Sequence, residues 1–102
     1  MNELILNSRS ELADLCRKFH VRRLALFGSS LTHEFDQARS DLDFMVEFQS
    51  LAAGEHSRAY FGLSEALQKL FGRPVDLLEH DAVRNPFIRQ EIDRTQQIVY
   101  GA

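Results

Sequence analysis

A chain of 102 residues and 11.8 kDa with a formal net charge of −3 has the length of one domain, too short for two independent cores. Hydrophobic residues at 44% and charged residues at 26% lie near the globular average, which excludes a disordered tail, and no apolar run approaches the roughly 18 to 20 residues of a membrane span. The acidic balance argues against a broad phosphate-neutralising surface, so no direct nucleic-acid partner is expected. The first residues, MNELILNSRSEL, lack a basic segment leading into a long apolar one, and the single cysteine, Cys16, has no partner thiol for a disulfide or a metal knuckle. The chain therefore reads as cytoplasmic, free of any membrane, with residues 1 to 102 forming one unit.

Leu12, Leu15, Cys16 and Phe19 recur at helical spacing and predict a first helix from about residue 9 to 19, with Ser8 and Glu11 at capping-box spacing. Lys18, Arg22 and Arg23 make a basic cluster expected at a solvated helix end. Leu24-Ala25-Leu26-Phe27 is short, apolar and followed by Gly28, which predicts a buried strand. Residues 41 to 48, DLDFMVEF, alternate with period two, so Leu42, Phe44, Val46 and Phe48 share one face and Asp41, Asp43, Met45 and Glu47 the other. From about Ser57 to Phe71, Tyr60, Leu63, Leu67, Leu70 and Phe71 trace an apolar helical stripe, stopped by Gly72 and Pro74. Val75 to Glu79 is a third strand, Asn85-Pro86 opens a helix to about Arg94, and Ile98-Val99-Tyr100 is a last edge strand. Helices alternating with strands predict a small α/β domain, one sheet with helices packed against it.

Asp41 and Asp43 are the informative pair, to be weighed against an ordinary solvated strand face. In an extended strand they leave the same face with Cα atoms about 6.5 to 7 Å apart, and a hard divalent ion such as Mg²⁺ relieves the repulsion between converging carboxylates. Upstream, the apolar strand ends in Gly28-Ser29-Ser30, and the residues through Phe35 can open a short helix. Free N–H groups at a helix start bind phosphate, glycine lets a phosphate approach the backbone, and a serine hydroxyl adds a donor. A phosphate cradle and a metal-binding pair are thus separated by one loop.

Leu26-Phe27-Gly28-Ser29, the run Ser40-Asp41-Leu42-Asp43-Phe44-Met45-Val46, and Val75-Asp76-Leu77-Leu78 resemble, in order and approximate spacing, the minimal nucleotidyltransferases of the DNA polymerase beta-like superfamily. These are often paired with a HEPN-domain protein as antitoxin and toxin. The resemblance covers nearly the whole chain and implies a small single-domain fold with a mixed sheet. It further implies that Asp41 and Asp43 hold two Mg²⁺ ions, that Asp76 is the third carboxylate of both the metal site and the catalysis, and that Gly28 and Ser29 hold the phosphates of ATP. Asp76, on an adjacent strand, is the candidate to deprotonate an attacking hydroxyl. Two departures stand out: Ser30 occupies the position where most relatives carry arginine, and the 11 residues between Ser29 and Asp41 exceed the usual interval by one. Arg39 is the candidate to supply the missing charge beside Ser30.

The implied activity is Mg²⁺-dependent transfer of AMP from ATP to a tyrosine hydroxyl of a HEPN ribonuclease toxin, which silences it. The alternative is an antitoxin that blocks its toxin by binding alone, since a docking domain does not need the lost arginine. Tyr60, Phe61, Phe71, Phe87 and Tyr100 offer more aromatic area than one small sheet needs, and some of it is expected to face the partner in a heteromeric complex.

Overall fold

A computed structural model describes residues 3–28 and 41–101. The elements in chain order are α1 (Glu3–Asn7), α2 (Arg9–Lys18), β1 (Val21–Leu26), β2 (Leu42–Phe48), α3 (Ala53–Phe71), β3 (Val75–Glu79), a 3-10 turn over His80–Ala82, α4 (Pro86–Thr95) and β4 (Gln97–Tyr100). Their spatial order in the sheet is β3-β2-β1-β4. β1 runs antiparallel to both β2 and β4, while β2 and β3 are parallel. A parallel pair needs a long crossover, and the 19-residue α3 supplies it.

The period-two pattern of β2 positions the core. Leu42, Phe44 and Val46 are fully buried against Leu12 and Cys16 of α2 and Leu63, Leu67 and Phe71 of α3. Phe44 and Phe71 stack with ring centroids 6.0 Å apart, a contact worth about 0.5 to 1.5 kcal/mol beyond area burial. Phe71 therefore belongs to the core and is not available to a partner. Tyr60 is half-buried and its hydroxyl donates to the Leu77 carbonyl at 2.6 Å; Tyr100 is half-buried against the core. Of the five aromatic residues expected at a partner-facing surface, Phe61 and Phe87 are exposed, at 68% and 81%.

Four local features depart from the sequence reading. Ser8 precedes α2 but its side chain makes no capping bond; α1 leads directly into it, with the Ser8 amide donating to Ile5 O. β1 begins at Val21, with a bulge where Val21 opposes Phe48 and Arg23 opposes Glu47. The extra residue turns Arg22 and Arg23 onto one carboxylate: Arg22 Nη2 lies 2.7 Å from Glu47 Oε1, and Arg23 pairs with Oε2. Two members of the basic cluster are thus strand residues engaged in an internal ion pair. α3 begins at Ala53, ahead of Ser57, and its first turn is held by His56, whose ring contacts Phe48 edge-on and whose Nε2 pairs with Glu79 at 2.6 Å.

The other boundaries follow their signals. Gly72 takes φ 63° and its amide donates to Gln68 O, closing α3. Asn85 Oδ1 accepts from the Phe87 and Ile88 amides, with Pro86 opening α4. No described helix is long and apolar enough to cross a membrane.

Candidate active site

β1 ends where the site begins. The Phe27 amide donates to the Asp43 carbonyl at 3.0 Å, and the chain then turns at Gly28 with φ 65°. That conformation costs an L side chain, and a Cβ at Gly28 would lie 2.7 Å from Asp43 Oδ2. Glycine is thus favoured by its dihedral, and a Cβ there would also displace the end of the Asp43 side chain.

The second carboxylate comes from β3. Asp43 and Asp76 are register partners across the parallel β2–β3 pair, and register partners on neighbouring strands project to the same face about 4.8 Å apart. Leu42 N–H donates to Pro74 O at 3.3 Å, fixing the start of that pairing. Asp43 is half-buried and Asp76 exposed. Like charges placed opposite one another cost stability in a sheet, and a hard divalent cation with oxygen ligands offsets that cost. Asp41 is exposed and precedes β2, two positions before Asp43 and hence on the same side by alternation. Among the described residues no three His, Cys, Asp or Glu side chains are gathered closely enough to hold a metal ion as they stand. The fold therefore brings Gly28, Asp43 and Asp76 together and sets Asp41 at the rim. By donor chemistry the facing Asp43 and Asp76 carboxylates suit a hard divalent cation.

Ser29, Ser30 and Arg39, the remaining phosphate-site expectations, lie outside the described residues, as does the short helix expected through Phe35. Asp43 and Asp76 line a cleft of about 540 Å³ together with Phe27, Tyr60, Ser64, Val75, Leu77 and Leu78. Tyr60 and Ser64 were not visible as site residues in the sequence. Their spacing of four on α3 places them on one helix face, but only the packing of α3 on β3 turns that face toward the cleft. Elsewhere, burial pushes the Cys16 thiol up to about 12, opposed in smaller measure by Arg17, so Cys16 is an inert core group.

A nucleotidyltransferase domain family model matches residues 9–98. The chain belongs to the nucleotidyltransferase domain family. This nucleotidyltransferase is 35% identical over 83 residues to a Methanocaldococcus jannaschii protein provisionally named a protein adenylyltransferase, covering 81% of this chain and 79% of the relative. A second protein of that organism with the same provisional name is 31% identical over 99 residues, covering 89% and 95%. In fold, a provisionally named minimal nucleotidyltransferase of solved structure matches with TM-score 0.66 at 26% identity, over 92% of this chain and 91% of that one. A chain from the solved structure of a tri-AMPylated Shewanella oneidensis HEPN toxin in complex with MNT antitoxin matches with TM-score 0.64 at 18% identity, over 96% of this chain and 73% of that one. The fold is thus that of a minimal nucleotidyltransferase, a small α/β unit with a mixed sheet.

Proposed function

We propose that this nucleotidyltransferase is the antitoxin of a cytoplasmic pair and transfers AMP from ATP to a tyrosine hydroxyl of a HEPN ribonuclease toxin. The observation that carries the reading is the facing pair Asp43 and Asp76 beside the glycine turn at Gly28. The provisional names of the two archaeal relatives support protein as acceptor, and an AMPylated HEPN toxin bound by a structural neighbour supports the partner. A further structural neighbour, a toxin–antitoxin with AMP-PNP, supports ATP as donor.

In this reading Gly28, Ser29 and Ser30 bind the phosphates through backbone and hydroxyl donors, and Arg39 adds a cation. Asp41, Asp43 and Asp76 would hold Mg²⁺, two ions in all, which would offset phosphate charge and make the acceptor hydroxyl more acidic. The acceptor oxygen bonds to the α-phosphorus as the bond from that phosphorus to the bridging oxygen breaks. Pyrophosphate leaves with the bonding electron pair, and the hydroxyl proton passes to the Asp76 carboxylate. Asp43, packed against Gly28, orients the reacting phosphate relative to that base.

The test is to incubate the purified chain and the HEPN-domain protein encoded beside it with Mg²⁺ and ATP labelled at the α-phosphate. Label on the HEPN chain, abolished by Asp43→Asn, is the expected result. Inhibition of the ribonuclease without label, undiminished in an Asp41→Ala, Asp43→Ala double variant, would replace transfer by inhibition through binding.

A further inference from the structure

A second hollow of about 330 Å³ lies between α3, β3 and the His80–Ala82 turn, lined by Ser57, Tyr60, Phe61, Leu77, Leu78 and Ala82 among others. It shares Tyr60, Leu77 and Leu78 with the carboxylate cleft, so the two hollows adjoin along β3. Phe61 and Leu78 are exposed, at 68% and 43%, a large apolar surface to leave in water on so small a domain.

We infer that this apolar hollow is the docking groove for the acceptor protein, holding an apolar side chain next to the acceptor residue while the hydroxyl reaches Asp76. The inference rests on the transferase reading above. Sheet order supplies the direction: the Gly28 end of β1, then Asp43 on β2, then Asp76 on the outer strand β3. With the nucleotide phosphates toward Gly28, the acceptor approaches across β3, where the groove lies. The lining contains no lysine or arginine, and its two ionisable side chains besides Tyr60, His56 and Glu79, are paired with each other, so it offers little to hold a nucleic-acid phosphate chain and suits an apolar protein side chain. The Tyr60 hydroxyl occupies the Leu77 carbonyl at the middle of the outer strand. An incoming chain is therefore held by side-chain insertion and not by extending the sheet.

Phe61→Ser removes the exposed wall and Ala82→Gln fills the hollow; both positions lie outside the carboxylate cleft and are exposed. The full-length variants are compared with wild type for Mg²⁺–ATP binding by calorimetry, for label transfer as a function of HEPN-protein concentration, and for complex formation by light scattering. Unchanged ATP affinity with a KM for the HEPN protein raised roughly ten- to thirtyfold, the range for loss of an apolar anchor, is expected. Wild-type KM in both variants overturns the groove while leaving the transferase reading intact, as does a comparable loss with Phe87→Ser on α4 when Phe61→Ser is silent. If wild type binds the HEPN protein but labels nothing, the transferase reading fails and complex formation decides the groove. Weakened binding by both variants then upholds docking, and wild-type binding overturns it. Label found instead on an RNA 3′ hydroxyl, insensitive to Phe61→Ser, also overturns it.

Discussion

Gly28→Ala is the substitution for which the structure gives a magnitude on two separate counts. A φ of 65° in an L residue costs about 1 to 2 kcal/mol, which in a domain of this size lowers Tm by roughly 4 to 8 °C for each kcal/mol. The added Cβ also falls 2.7 Å from Asp43 Oδ2, about 0.7 Å short of ordinary contact, so the carboxylate or the turn must shift by that amount. A misplacement of about 1 Å can cost a hundredfold in rate, so a shift of this size predicts a loss on the order of tenfold or more in transfer. Urea denaturation reads the first effect and α-labelled ATP transfer the second. Gly28→Asn separates them, because asparagine tolerates positive φ yet carries the same Cβ: stability recovers in part and the rate does not. Wild-type stability together with wild-type transfer in Gly28→Ala would refute the placement of Gly28 against the reacting carboxylate.

Phe44→Ala empties the centre of the core, where Phe44 is fully buried and stacked on Phe71, and urea denaturation should show a loss of about 3 to 5 kcal/mol; a loss below 1 kcal/mol would contradict that packing. Asn85→Ala deletes the two capping bonds to Phe87 and Ile88 and should cost about 1 kcal/mol, read as roughly fivefold faster amide exchange at the start of α4. Cys16, its thiol raised to about 12 by burial, should resist alkylation at pH 8 in the native chain and react on unfolding. Because the folded value exceeds the unfolded one, the unfolded chain loses its proton first. Stability from this group is therefore flat below pH 9, declines between pH 9 and 12, and loses that decline in Cys16→Ala. Alkylation of the native chain at the unfolded rate would refute the burial.

Elements with punctuation were legible in the sequence, and contacts across the sheet were not. Val75–Glu79 matches its prediction because Gly72 and Pro74 end α3 just before it, and α4 starts where Asn85-Pro86 indicated. α3 extends back to Ala53 without a cap signal, since Ala52 offers no side-chain bond. The pairing of Arg22 and Arg23 with Glu47 depends on a bulge that no spacing announces. Asp43 and Asp76 were readable as residue types on strands, whereas Asp41, expected inside the strand, precedes β2 at Leu42. Which two face one another follows from the parallel register of β2 and β3, a tertiary fact. Tyr60 read as one member of an apolar stripe, while its hydroxyl bond to Leu77 required knowing that α3 lies along β3.

Intact-mass measurement of the HEPN protein co-expressed with this chain tests the central claim most directly. Wild type is expected to add one or more AMP units to the HEPN chain, and Asp43→Asn or Asp76→Asn, each still forming the complex, to add none. An unmodified HEPN chain with wild type, or the same added mass with either variant, would contradict the assignment of AMP transfer to the facing carboxylates.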